Sequence, residues 1–106
     1  MQIEEQFLTA IKEKKILLVT VNSAQKGIIV RKCIPFDLGP SRRYGDGRDR
    51  YHLFDLDSPD GAHPLSILPD QLIELKTLGD QFEPGCFVTW PPPYLWWVKR
   101  DWGSYS

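Results

Sequence analysis

Residues 15–36 read KILLVTVNSAQKGIIVRKCIPF. Two aliphatic, β-branched runs, KILLVTVNS and GIIVRKCIPF, flank a polar turn from Asn22 to Gly27. Such side chains suit a pleated, half-buried surface. Two such runs joined by a short Asn/Ser/Gly link read as an antiparallel hairpin. Pro35 has no N–H to give to a ladder, so the second strand is expected to end there. A lone hairpin is marginal in water, and the flanking sequence has to supply its partners.

Upstream, residues 3–13, IEEQFLTAIKE, place Ile3, Phe7, Ala10 and Ile11 on one helical face. Glu4 and Glu5 at the start, with Lys12, Lys14 and Lys15 at the end, suit the helix dipole. So short a helix needs something to pack on. Downstream, residues 37–50, DLGPSRRYGDGRDR, read as a loop broken by Gly39-Pro40, Gly45 and Gly47. RYHLFDLD is a third strand, stopped by the turn Ser58-Pro59-Asp60-Gly61. HPLSIL and QLIELKTL are a fourth and a fifth strand. Short strands at steady spacing predict a mostly β, α+β fold: a small barrel or sandwich with an N-terminal helix. The segments from Ile16 to Leu78 are expected to curl into one closed β wall.

The tail, EPGCFVTWPPPYLWWVKRDWGSYS, differs in kind and divides the chain into a body, 1–83, and an extension, 84–106. It holds all four tryptophans and the run Pro91-Pro92-Pro93. Phe87 to Trp90 is a candidate extra strand. Rings as large as Trp90, Trp96, Trp97 and Trp102 either fold back over the barrel's end or stand exposed as anchors for a partner or a second copy. On the second reading Trp96, Trp97 and Trp102 form an interface, with Lys99-Arg100-Asp101 beside them, and a homodimer is the expected assembly.

Bulk properties narrow the field. At 106 residues the chain suits one domain. Its net charge of -1 excludes a general polycation, so any nucleic-acid binding has to come from a local patch. Cys33 and Cys86 form no C-x-x-C pair and read as small buried apolar residues. The acidic start lacks a signal-peptide pattern, and no apolar run approaches the roughly 20 residues that span a bilayer. A cytoplasmic address with no membrane contact follows as the expectation.

Chemistry concentrates in one place. The loop around Arg42, Arg43, Tyr44, Asp46, Arg48, Asp49, Arg50 and Tyr51 sets four arginines against two aspartates. Guanidinium forks match phosphate oxygens, and Tyr44 and Tyr51 offer rings to a base. A solvated loop, its arginines paired with Asp46, Asp49, Asp55 and Asp57, is the competing reading, and a protein contact is a third. His52 joins the candidate ligand set; as a lone histidine on a strand it equally reads as a core or edge residue. His63 has no Cys or His at ligand spacing, and Pro59 breaks the calcium-loop pattern begun by Asp55, Asp57 and Asp60. There is no Gly-x-Ser-x-Gly elbow, no phosphate loop and no base beside either cysteine. No enzyme activity, metal or cofactor is expected.

The order of elements resembles the WYL domain. The matching features are Ala10-Ile11 before a lysine-rich step, Leu18-Val19-Thr20, Arg31, Ile34-Pro35 and Leu38. Tyr51-His52-Leu53 stands where that family has Trp-Tyr-Leu, and Leu65, Pro69-Asp70-Gln71-Leu72 and Phe82-Glu83-Pro84 complete the match across residues 7–84. The resemblance implies a small Sm-like barrel, similar to Src-homology-3 domains. It also implies a role in sensing a nucleotide or nucleic acid within bacterial regulators. Ser66 stands where the resemblance implies a ligand-contacting arginine, and the family's usual helix-turn-helix has no counterpart in these residues. The expected function is therefore regulatory, non-catalytic binding of a nucleotide or single-stranded nucleic acid. Arg42, Arg43, Arg48 and Arg50 would hold phosphate, with Tyr44, Tyr51 and His52 beside them. The alternative is a protein–protein adaptor working through the tail.

Overall fold

Phe7, Ala10 and Ile11 are buried along one stripe of α1 (Ile3–Glu13), as the spacing predicts. The helix stops at Lys14, whose left-handed backbone (φ 57) lets its N–H reach the carbonyls of Ala10 and Ile11. The computed structural model describes residues 2–106. After α1 come β1 (Lys15–Ser23), β2 (Gly27–Pro40), β3 (Asp49–Asp55), β4 (His63–Ile67) and β5 (Leu72–Gln81). Single 3-10 turns lie at Pro69–Gln71, between β4 and β5, and after β5 at Pro84–Cys86 and Gly103–Tyr105.

The five strands form one antiparallel sheet in the order β4-β3-β2-β1-β5. The predicted hairpin pairs Leu17 with Cys33 at one end and Ser23 with Gly27 at the other. The predicted closed wall does not form: hydrogen bonding ends at β4 and β5, which are linked by the Pro69–Gln71 turn but not paired. No helix among the described residues is long and apolar enough to cross a membrane.

Two expectations from sequence change. β2 runs on to Pro40 rather than ending at Pro35. Its ladder with β1 already stops at Cys33, and its pairing with β3 skips Phe36, so the absent N–H of Pro35 leaves no partner unmet. No strand forms at 87–90. The amides of Phe87 and Val88 instead turn back to the Pro84 carbonyl, at 3.2 and 2.9 Å.

Burial shows what the tail does. In β1 the alternation is clean, with Leu17, Val19 and Val21 inward. In β2 it breaks down from Cys33, where Cys33, Ile34 and Pro35 are all buried. Here the outer face is covered as well. The Phe87 ring lies 5.5 Å from Phe36 and 5.6 Å from Phe54. Trp102, 3% exposed, packs on Phe82 and Phe87 and donates its indole N–H to the Ile11 carbonyl at 2.9 Å.

Candidate functional site

The site begins at Asp37, just past the skipped residue of β2 and buried. Its carboxylate accepts the backbone N–H groups of Trp97 (3.0 Å) and Val98 (3.0 Å) and one arm of Arg100 (3.2 Å). The Arg100 guanidinium lies between the rings of Trp96 and Trp102, 4.1 and 4.4 Å from their centroids. It also donates to the carbonyls of Phe36 and Val98. Burial pulls Arg100 down to about 10, against the opposing charge of Asp37, so it stays a cation at neutral pH. A buried pair of this kind adds little net stability, but losing one partner leaves an uncompensated charge.

Docking Arg100 fixes Trp97. The indole lies against Gly39 so closely that a Cβ there would come within 2.5 Å of Trp97 Cγ. Its N–H donates to the Pro40 carbonyl at 2.9 Å. Above the ring sits Arg42, its guanidinium carbon 4.3 Å from the centroid. The space between residues 36–42 and the tail is a cleft of about 240 Å³, lined by Ser41, Arg42, His52, Trp90, Leu95 and Trp97 among others. Leu95, Trp97 and Trp90 remain 63%, 48% and 43% exposed at its mouth.

The predicted ligand residues divide. Arg42 borders the cleft. Arg43 and Arg48 face solvent and enter none of the four ion pairs among the described residues. Tyr44 is exposed, with one face under Arg50 at 4.0 Å. Arg50 is itself buried: it pairs with Asp46 at 3.0 Å and donates to the Ser66 carbonyl at 3.4 Å, so it braces the loop rather than offering donors. The backbone N–H of Arg48, and then Arg50, hold the Asp46 carboxyl below its ordinary value. Of the ion pairs in the solvated-loop reading the structure contains this one, and residues 42–49 are exposed as that reading expects.

Tyr51 and His52 need correction. Tyr51 is 6% exposed and meets Phe7 edge-on at 4.8 Å, so no base can reach its ring. His52 has Nε2 at 2.9 Å from the Gly39 carbonyl and Nδ1 at 2.9 Å from the Ser66 hydroxyl, leaving no ring nitrogen for a ligand. Trp102 is a core residue, not an exposed anchor. Trp96 is partly buried, with its N–H donated to the Tyr105 carbonyl at 2.9 Å. Of the three predicted interface tryptophans, Trp97 alone is half open to solvent.

Sequence reasoning missed Asp37 altogether and read Arg100 as an interface charge. Their pairing spans 63 positions, and no local pattern announces it. Among the described residues no three His, Cys, Asp or Glu side chains converge as a metal site would require. Comparison with known proteins finds no match: no family model, no curated protein and no solved structure corresponds to this chain.

Proposed function

We propose that the chain is a non-catalytic regulatory binding module that takes a single-stranded nucleic acid or nucleotide at the cleft between loop 41–48 and the tail. The supporting frame is a WYL-like fold of Sm type, with the seam between β4 and β5 left open. The strand order and the N-terminal helix agree with that reading. One observation carries the functional part: Arg42 lies on the half-exposed Trp97 at the mouth of an aromatic cleft. Stacking on an indole limits where the guanidinium can go while its edge still presents donors to a phosphate. Arg43 and Arg48 stand free in the same loop to follow a backbone. Trp90 inside the cleft and, outside it, the open face of Tyr44 offer rings for bases, and aromatic surface beside cationic groups is the pattern of sequence-tolerant single-strand binding.

The test is fluorescence anisotropy with a labelled oligothymidylate of about 15 nucleotides, near the upper site size of a single-strand module. A cyclic dinucleotide serves as the small probe. Saturable binding at low salt is expected, weakened about ten- to a hundredfold by Arg42→Ala, the loss of a charge-assisted hydrogen bond. Binding of neither probe, or binding indifferent to Arg42→Ala and Arg43→Ala together, overturns the proposal.

A second reading has its own observation. Leu95, at 63% exposure, sits beside Trp90 and Trp97, and an apolar and aromatic surface of this kind also suits a protein partner or a second copy. That partner would engage the tail with little dependence on salt.

A further inference from the structure

The cleft has two halves that belong to different parts of the chain. Phe36, Asp37, Pro40, Ser41, Arg42 and His52 come from the sheet and its loop; Trp90, Leu95, Trp96 and Trp97 come from the tail. The tail segment 94–102 contains no strand, so no ladder holds it to the sheet. It is held by side chains. The Asp37 carboxylate gathers the amides of Trp97 and Val98 and the Arg100 guanidinium, the Trp97 indole bonds Pro40, and the Trp102 indole bonds Ile11. Three of these contacts converge on one carboxylate.

We propose that this Asp37–Arg100 latch governs the cleft: ligand binds only when segment 94–102 is docked, and bound ligand in turn holds the segment down. The inference rests on the functional reading above and adds its regulation. The physical chain is short. Without the latch Trp97 leaves Gly39 and Pro40, Arg42 loses the ring that positions it, and one wall of the cleft disappears. Segments held by few backbone hydrogen bonds open locally at a lower free energy than the core. A ligand that needs the closed form must shift that opening equilibrium, and linkage makes the effect reciprocal. Asp37 is therefore a positioning residue. Its carboxylate is taken up by the tail, and it acts through Trp97 on Arg42.

Amide hydrogen exchange of the full chain, with and without the oligothymidylate, tests both directions. In the unliganded wild type the amides of Trp97 and Val98 should exchange faster than those in the middle of β1 and β3. Oligonucleotide at a hundred times its Kd should slow them by about a hundredfold, if opening and binding exclude each other. In Asp37→Asn the same two amides should exchange faster with the core strands unchanged, and oligonucleotide affinity should fall about tenfold, an ordinary coupling magnitude. If Asp37→Asn does not fold, the wild-type arm decides by itself. Oligonucleotide binding that leaves Trp97 and Val98 exchange unchanged, or that survives intact in a folded Asp37→Asn with an opened tail, overturns the latch alone. Absence of binding of both the oligonucleotide and the cyclic dinucleotide by the wild type overturns the functional reading, and the latch as a gate with it.

Discussion

His52 shows how a residue's type and its use can part. The Gly39 carbonyl can only accept, so His52 Nε2 carries a proton, and Nδ1 bonds the Ser66 hydroxyl. His52→Phe would strand a buried carbonyl and a hydroxyl. It should cost about 1–3 kcal/mol in urea unfolding, with little effect on oligonucleotide affinity. A ligand-contacting histidine would show the reverse. The sequence marked His52 as worth weighing, but its partners lie 13 and 14 positions away and are invisible to local pattern. The cysteines divide: Cys33 is the small buried residue expected, whereas Cys86 is exposed. Cys33 is buried, and burial first, then Asp55 and Asp57, push its thiol well above the ordinary 9.0, with Arg31 opposing. The folded chain thus keeps a proton that the unfolded chain releases. That contribution is intact below the unfolded pKa and is lost as pH rises above it, by up to about 1.4 kcal/mol per pH unit. Urea midpoints on either side of pH 9 check the sign. In the native state Cys86, which is exposed, should react with a thiol reagent while Cys33 waits for unfolding.

At the scale of elements, the end of α1 offers the sharpest test. Lys14 adopts φ 57, a conformation that disfavours any residue with a Cβ. Lys14→Gly removes that cost but adds backbone entropy to the unfolded chain. The balance should be a stabilisation of about 0.5–1 kcal/mol, read as a higher midpoint at unchanged m-value. The helix and five strands were legible because their apolar periods of 3.6 and 2 are set by burial on one face. The failures share a cause. Residues 37–40 read as loop because Pro35 and Gly39-Pro40 punctuate them, yet a skipped residue at Phe36 carries the strand past the proline. Residues 87–90 read as strand because Phe87 and Val88 are apolar, yet they are buried as a cover on the sheet rather than as part of it. Both errors come from contacts distant in sequence: pairing with β3 for the first, and the tail packing on the outer face of β2 and β3 for the second. The second contact joins segments some fifty positions apart in sequence, and local propensity cannot register either.

For the whole molecule the governing quantity is where charge sits. The chain carries a net charge of -1, so attraction to a polyanion cannot come from the molecule at large. In the loop it comes from Arg42, Arg43 and Arg48, which lie outside the ion pairs, since Arg50 is taken by Asp46; in the tail Arg100 is taken by Asp37. Part of this was readable: the arginine-rich loop stood out in the sequence. Which arginines are free depended on tertiary partners. A count of free cations makes a quantitative forecast. If about three phosphates are neutralised, the logarithm of the oligonucleotide affinity should fall with the logarithm of salt concentration at a slope near about -2, since a single strand gives about -0.7 per contact. From 50 to 200 mM salt that is a loss of about twentyfold. Arg48→Ala should flatten the slope by about 0.7, and Arg50→Ala should leave it unchanged while lowering stability. A slope near zero would mean that the loop arginines neutralise no phosphate, which overturns their assignment as the phosphate-holding residues. A slope much steeper than about -2 would mean that further cations, such as the exposed Lys99 of the tail, join the contact.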